Sequence, residues 1–252
     1  MTARLLFAMA VIVVLWWPGS TRGEEDAEKT GDPPASKPLA SLDIANTEDG
    51  SHPGGATPRK GVWKVDQEAE ELRLAPEPLS RGWLEFGPEI REKGATIVVT
   101  ARGPGKGRLQ SRFGAGLHGE NGFQIEAVPV NDEVELVRRG AVLTREPFEL
   151  DADATYDIEL SVVEDGGNWL VSGRIRETEA ERPEEPLFEY KAFADELLFP
   201  LAGRAALVAT PFSGEPVAYA AASVYEGAYV PPAPKEEEAE ESDDDEDGEG
   251  DE

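Results

Sequence analysis

Glycoside hydrolysis needs two carboxyl groups about 5–10 Å apart astride a sugar, and this chain is rich in carboxylates. Asp157 and Glu159 alternate in YDIELSV, so both fall on one face of a strand. Asp132, Glu133 and Glu135 form a second set, and Glu149, Asp151 and Asp153 a third. With 52 acidic residues in the chain, such pairs arise by chance, and a solvated strand face is the expectation for most of them. Histidine chemistry is thin, because only His52 and His118 are available. A metal site wants several imidazoles or clustered carboxylates, and no Ser-His-Asp set can be assembled. Cysteine is absent, which removes thiol nucleophiles, disulfides and cysteine metal sites. Neither a phosphate loop nor a dinucleotide fingerprint is present.

The aromatic residues are the other lead. Aromatic rings offer an apolar face to a pyranose ring, and Trp63, Trp83, Trp169 and Tyr219 are the aromatics to weigh. Trp169 shares its alternation with Val171 and Ile175, which points it into a core. Trp83 follows Arg81-Gly82 and fits either surface. His118 leaves the segment RFGAGL beside Gly119 and Glu120. The plainer reading of His118 is a loop histidine satisfied by backbone groups. The candidate ligand-binding residues are therefore Trp83, His118, Glu120 and Tyr219. No catalytic and no metal-binding residue is assigned.

These side chains must be positioned by strands. Between Val62 and Val224 about twelve short segments of alternating hydrophobicity recur at the spacing of sandwiches and barrels. In WLEFG, Trp83 and Glu85 oppose Leu84 and Phe86. In TYDIELSVVE, Tyr156, Ile158, Leu160 and Val162 oppose Asp157, Glu159 and Ser161. RRG before AVLTREP predicts a hairpin turn at Arg139-Gly140, and EDGGN predicts another. Gly114-Ala115-Gly116 marks a bulge or a close backbone approach. DELLFP predicts one helical turn before Pro200, and Gln67–Glu71 is the other weakly helical stretch. The expected fold is all-β: a two-sheet antiparallel β-sandwich over one core.

The ends carry different information. Residues 1–23 have the form of a secretory signal: Arg4, then the 13-residue apolar run Leu5–Trp17, then Pro18 and small residues. The run is shorter than the roughly 20 residues of a membrane span, so a cleaved signal and no transmembrane span are expected. Residues 24–60 are rich in Pro, Gly, Ser and Asp and are expected to be a disordered linker, with a weak strand near Leu39–Ile44. The sandwich is expected over 61–229, and 230–252 is expected to be a disordered acidic tail behind the stiff spacer VPPAP. Lys235–Glu252 holds thirteen acidic residues against one basic residue. Such a run is ordinarily solvated. Calcium is the one cofactor candidate, although SDDDEDGEGDE lacks the spacing of an ordered calcium loop. The net charge of −28 repels nucleic acid and anionic lipid, which excludes both as partners.

The run from SRFGAGLHG through GFQIEAVPV, EVELVRRGAVLTR and YDIELSV to NWLVSGRI resembles the concanavalin A-like jelly-roll superfamily. Laminin G-like, pentraxin-like and 3-keto-disaccharide hydrolase-like domains belong to it. The resemblance spans roughly Val62 to Glu226 and lies in the order of strands. It implies a jelly roll of lectin, glucanase or laminin G type. The alternating E-x-D-x-E strand of its glucanases has no counterpart here. GPGKGRLQS likewise departs from the Gly-Asn-Ser-Gly loop of the hydrolase-like members. The expected protein is an exported, secreted or periplasmic, monomeric module that binds extracytoplasmic carbohydrate or an envelope protein, or serves the envelope structurally. The alternative is a glycan-processing hydrolase on the same fold.

Overall fold

The computed structural model describes residues 34–77, 80–152, 154–212 and 214–232. The signal segment, residues 24–33 and the acidic run lie outside the described residues. The N-terminal part holds β1 (Pro38–Ser41), β2 (Thr57–Lys60), β3 (Trp63–Asp66), β4 (Glu71–Leu74), β5 (Gly82–Ile90) and β6 (Gly94–Arg102). The middle holds β7 (Gly105–Lys106), β8 (Leu109–Gln110), β9 (Arg112–Leu117), β10 (Phe123–Val128), β11 (Glu133–Arg138) and β12 (Ala141–Pro147). The last part holds β13 (Tyr156–Asp165), β14 (Asn168–Glu177), β15 (Phe188–Ala192), β16 (Gly203–Thr210) and β17 (Val217–Glu226). Helix among the described residues is limited to three single 3-10 turns, at Gly119–Asn121, Pro129–Asn131 and Ala194–Glu196. The last of these is the helical turn expected before Pro200. Gln67–Glu70 is a plain turn rather than a helix.

The back sheet runs β15-β14-β13-β6-β17-β4-β3, with β1 also paired to β17. The front sheet runs β12-β11-β10-β9-β16-β5-β2, and β7-β8 is a separate hairpin. Neighbours in both sheets are antiparallel. Strands far apart in sequence lie side by side, β6 with β17 and β9 with β16, so closing the sandwich requires long-range pairing. Period-two alternation sends one set of side chains from each sheet into a shared core: Leu84 and Phe86, Ile97 and Val99, Ile125, Leu136, Ile158 and Leu160, and Leu207. At about 25 cal/mol per Å² of apolar surface removed from water, this interior is the main favourable term in the fold. The fold class expected from the alternation is the one observed.

Two hairpins show why local sequence can set register. Arg139 and Gly140 have φ of 52° and 77°, and Gly166 and Gly167 have 59° and 85°. Positive φ at both central residues defines a type I′ turn, whose twist matches that of paired strands. Each turn clamps its flanking pair, Arg138 to Ala141 and Asp165 to Asn168.

The expectation of a disordered linker does not hold over residues 34–60. β1 pairs along β17, and β2 pairs along β5. Leu42 and Ile44 enter the core. The turn after them is tied down by Asp43, which accepts from the Asn46 amide at 2.8 Å. Gln67 donates to the carbonyls of Ala45 and Thr47. Composition missed this segment because its order comes from sheet edges supplied by distant residues. The other boundary also moves. Ser36 N donates to Val230 O, and Val230 N donates to Ser36 Oγ, each at 2.9 Å. Tyr229 packs on Tyr225 with ring centroids 4.5 Å apart. The sandwich thus extends to residue 232.

Candidate functional site

The outward face of the front sheet is organised by cross-strand rows. One row reads Lys60, Trp83, Val208, Gly114, Glu126, Glu135 and Arg145 across β2, β5, β16, β9, β10, β11 and β12. The next reads Glu85, Ala206, Gly116, Gln124 and Val137. Small residues therefore occupy the middle, and long polar ones stand on both sides. Gly114 has no room for a side chain, since a Cβ there would lie 1.9 Å from Ile125 O. At Gly116 a Cβ would meet Gln124 Cγ at 3.1 Å and the Trp83 ring at 3.6 Å. The close backbone approach read from Gly114-Ala115-Gly116 is this crowding at β9.

Over that small centre the charged side chains close on one another. Arg81, immediately before β5, donates to Gln124 Oε1 at 2.6 Å and to Glu126 on β10. Arg59 donates to Glu85 at 2.9 Å, and Arg145 to Glu135 at 2.9 Å. Arg112 lies 3.4 Å from the other Glu135 oxygen. Every carboxylate of the two rows is thus engaged by a guanidinium, the strong charge-assisted form of the bond. An acid–base pair free to exchange protons with a substrate is not formed by them.

One end of this face opens into a cleft of about 320 Å³. Its lining comes from Lys60, Arg81, Trp83, Glu120, Asn121 and Gln124, with the Arg139-Gly140 turn at the rim. Two of the four expected site residues meet here. Trp83 forms the floor, buried beside Ala206 and Val208, and its indole N–H points to Glu85 at 3.4 Å. It therefore presents little ring face for stacking; of the two placements the sequence left open, Trp83 takes the buried one. Glu120 stands exposed at the cleft edge and pairs with Lys60 at 2.7 Å.

The other two expected residues belong elsewhere. Tyr219 is fully buried, and its side chain crosses the core from the back sheet. Its hydroxyl lies 2.7 Å from Val208 O and 2.9 Å from Gly114 O and accepts from Gly114 N. Burial raises the pKa of its phenol. The residue ties the back sheet to the floor of the front rows and cannot touch a ligand. His118 is 1% exposed, in the left-handed region at φ 63°. Among the described residues neither ring nitrogen has a partner, so it is not a backbone-satisfied loop histidine either. Its ring lies edge-on to Trp169 at 5.6 Å, and burial alone pushes its pKa down to about 4. A loop position in sequence concealed a place inside the fold.

Lys60, Arg81, Asn121, Gln124 and Arg139 were not singled out from sequence. For Arg81 and Gln124 a signal existed: each is two residues before an outward strand residue, Arg81 before Trp83 and Gln124 before Glu126. Their convergence depends on β5 and β10 sharing β16 and β9 between them.

A larger cleft of about 650 Å³ lies on the outward face of the back sheet. Its floor holds Asp157, which accepts from Arg176 and Thr100 at 2.7 Å each. Glu159 beside it accepts from Arg174 at 2.9 Å and Arg182 at 2.8 Å. Asp157 and Glu159, adjacent on one strand face as expected, are therefore structural anchors. Tyr229, Pro231 and Pro232 form a wall, with Arg182 5.8 Å over the Tyr229 ring. Among the described residues no cluster of three or more His, Cys, Asp or Glu is placed to hold a metal ion. No helix among them is long and apolar enough to cross a membrane.

No family model matches the sequence, and no curated protein matches it. Solved structures do match in fold. The Emp46p carbohydrate recognition domain in its metal-free form is 16% identical, with 77% of this chain and 99% of that chain covered and a TM-score of 0.54. The potassium-bound form of the same domain is 15% identical over the same shares, with a TM-score of 0.55. A Bacillus subtilis protein of unknown function with a galectin-like fold is 11% identical over 78% and 99%, with a TM-score of 0.53. The winged bean acidic lectin complexed with methyl-alpha-D-galactose is 9% identical over 75% and 98%, with a TM-score of 0.51. At such identities the likeness is one of fold: the chain is built as a jelly-roll sandwich of the kind found in lectin domains.

Proposed function

We propose that the protein is a non-enzymatic carbohydrate-binding module of the concanavalin A-like type, acting outside the cytoplasm. The observation that carries the reading is the front-sheet cleft, where amide and guanidinium groups of Asn121, Gln124, Arg81 and Arg139 converge over the Trp83 floor. Convergent polar groups in a preformed cleft are what orients a sugar by its hydroxyls. Its volume is at the lower end of ligand pockets, about 300–1,000 Å³, which suits one sugar unit of a longer glycan. The names of the similar structures, a carbohydrate recognition domain and a galactoside-bound lectin, support the same class. Binding is favoured over hydrolysis because Glu85, Glu126 and Glu135 are each engaged by arginine. The signal-like residues 1–23 support export. The polar groups of the cleft come from the chain itself, so this reading does not call on calcium.

A glycan array followed by calorimetric titration of the strongest hit tests the proposal. The Asn121→Ala/Gln124→Ala double variant is expected to lose tenfold or more in affinity while its melting curve stays cooperative. A blank array, or a double variant that binds like the unaltered protein, overturns it.

A further inference from the structure

The front cleft has the wrong charge for the protein that contains it. The chain carries a net charge of −28. Yet the cleft is lined by three cations, Lys60, Arg81 and Arg139, against the single carboxylate of Glu120. Glu120 is already engaged by Lys60, and Arg81 is engaged by Glu126 beneath it. Arg139 differs from both. Among the described residues no carboxylate pairs with it, and its guanidinium instead lies 5.5 Å over the Phe199 ring. It is held at the cleft rim by the type I′ turn, at φ 52°. Its neighbour Arg138 donates to Asn121 O, which ties the hairpin turn to the Gly119–Asn121 turn. Arg138 is pushed below its usual range first by burial and then by the charge of Arg139 beside it.

We propose that the cleft selects an acidic sugar: a uronic acid unit of a glycan, with its carboxylate on Arg139 and its hydroxyls on Asn121, Gln124 and Arg81. The inference rests on the carbohydrate-binding reading and narrows it. The planar guanidinium fork matches a carboxylate in two parallel hydrogen bonds. An arginine without a carboxylate of its own can supply that fork without first breaking an ion pair. The negative charge elsewhere on the chain does not forbid this. At physiological ionic strength the Debye length is about 8 Å, so remote carboxylates are screened while contact cations are not.

The test titrates the full chain at about 0.15 M salt with trigalacturonic acid, with its carboxyl-reduced neutral trimer, and with a sulfated neutral trimer. The expected result is at least tenfold tighter binding of the uronate than of the reduced trimer, with the sulfated trimer weaker than the uronate. Arg139→Asn, which tolerates the left-handed turn position, is expected to abolish that preference without shifting the melting temperature. Equal binding of uronate and reduced trimer overturns the acid selectivity and leaves the carbohydrate reading standing. A sulfated trimer that binds as tightly as the uronate overturns the carboxylate assignment, as does an Arg139→Asn protein that keeps the preference. If no sugar of any kind binds, here or on the array, both readings fall.

Discussion

The two sheets carry clefts built from the same materials, strand-borne carboxylates bridged by arginines, yet the two differ in charge. In the back cleft Arg174, Arg176 and Arg182 face Asp157, Glu159, Glu181 and Glu184, and the floor carboxylates are held by two donors each. In the front cleft three cations face one carboxylate. The back arrangement closes on itself and braces the 178–186 loop and the C-terminal segment against the sheet. The front arrangement leaves Arg139 and the Asn121 amide for something else. The back cleft has a surplus of carboxylates and the front cleft a surplus of cations.

Gly114→Ala should break the comparison on the front side most severely. The new Cβ would press on the backbone of β10 at Ile125, and backbone cannot yield as a side chain can. A loss of about 4 kcal/mol or more is expected, at the extreme of single substitutions, read by denaturant unfolding.

Acidification comes next. His118 opens the turn that carries Glu120 and Asn121, and its ring packs on Trp169 of β14. Its pKa is about 4 in the folded state against an ordinary value of 6.5, with burial the sole cause. Between those values the unfolded chain binds the proton and the folded chain does not. Stability is therefore full above about pH 6.5 and falls as pH drops toward about 4, by about 3 kcal/mol. His118→Leu should flatten that part of the melting temperature–pH curve; an unchanged slope would refute the assignment.

On the back sheet, Glu159→Ala leaves Arg174 and Arg182 without their shared acceptor. Breaking a buried pair costs about 3–5 kcal/mol, but both arginines are partly exposed, so about 2 kcal/mol is expected. At about 2–4 °C per kcal/mol for a domain of this size, that lowers the melting temperature by about 6 °C. The sugar binding proposed for the front cleft should not change, and a change would show the two faces to be coupled. The smallest effect belongs to Lys60→Met. Its pair with Glu120 is exposed on both sides, so stability should move by less than about 0.5 kcal/mol in thermal melts.

Much of the fold was legible because alternation is a local property. Leu84 and Phe86 against Trp83 and Glu85, and Ile158 and Leu160 against Asp157 and Glu159, face as their spacing predicts. The two type I′ turns were legible for the same reason: Arg139-Gly140 and Gly166-Gly167 carry their conformational preference in their own residues. The site was far less legible. Alternation tells which side of a strand a residue takes, and it cannot tell whether that side meets solvent, a neighbouring sheet or a covering loop. Tyr219 and His118 were misplaced for that reason, and residues 34–60 were misread because their partners lie on β17 and β5.

Sequence by itself determined the strand-rich class, the single cysteine-free core and the acidic balance, since these follow from residue types and near-neighbour spacing. Tertiary structure alone decided that Arg81, Gln124 and Arg139 share a cleft. Those residues come together through antiparallel pairing of strands tens of residues apart, and the register of such pairs is set by the whole core at once.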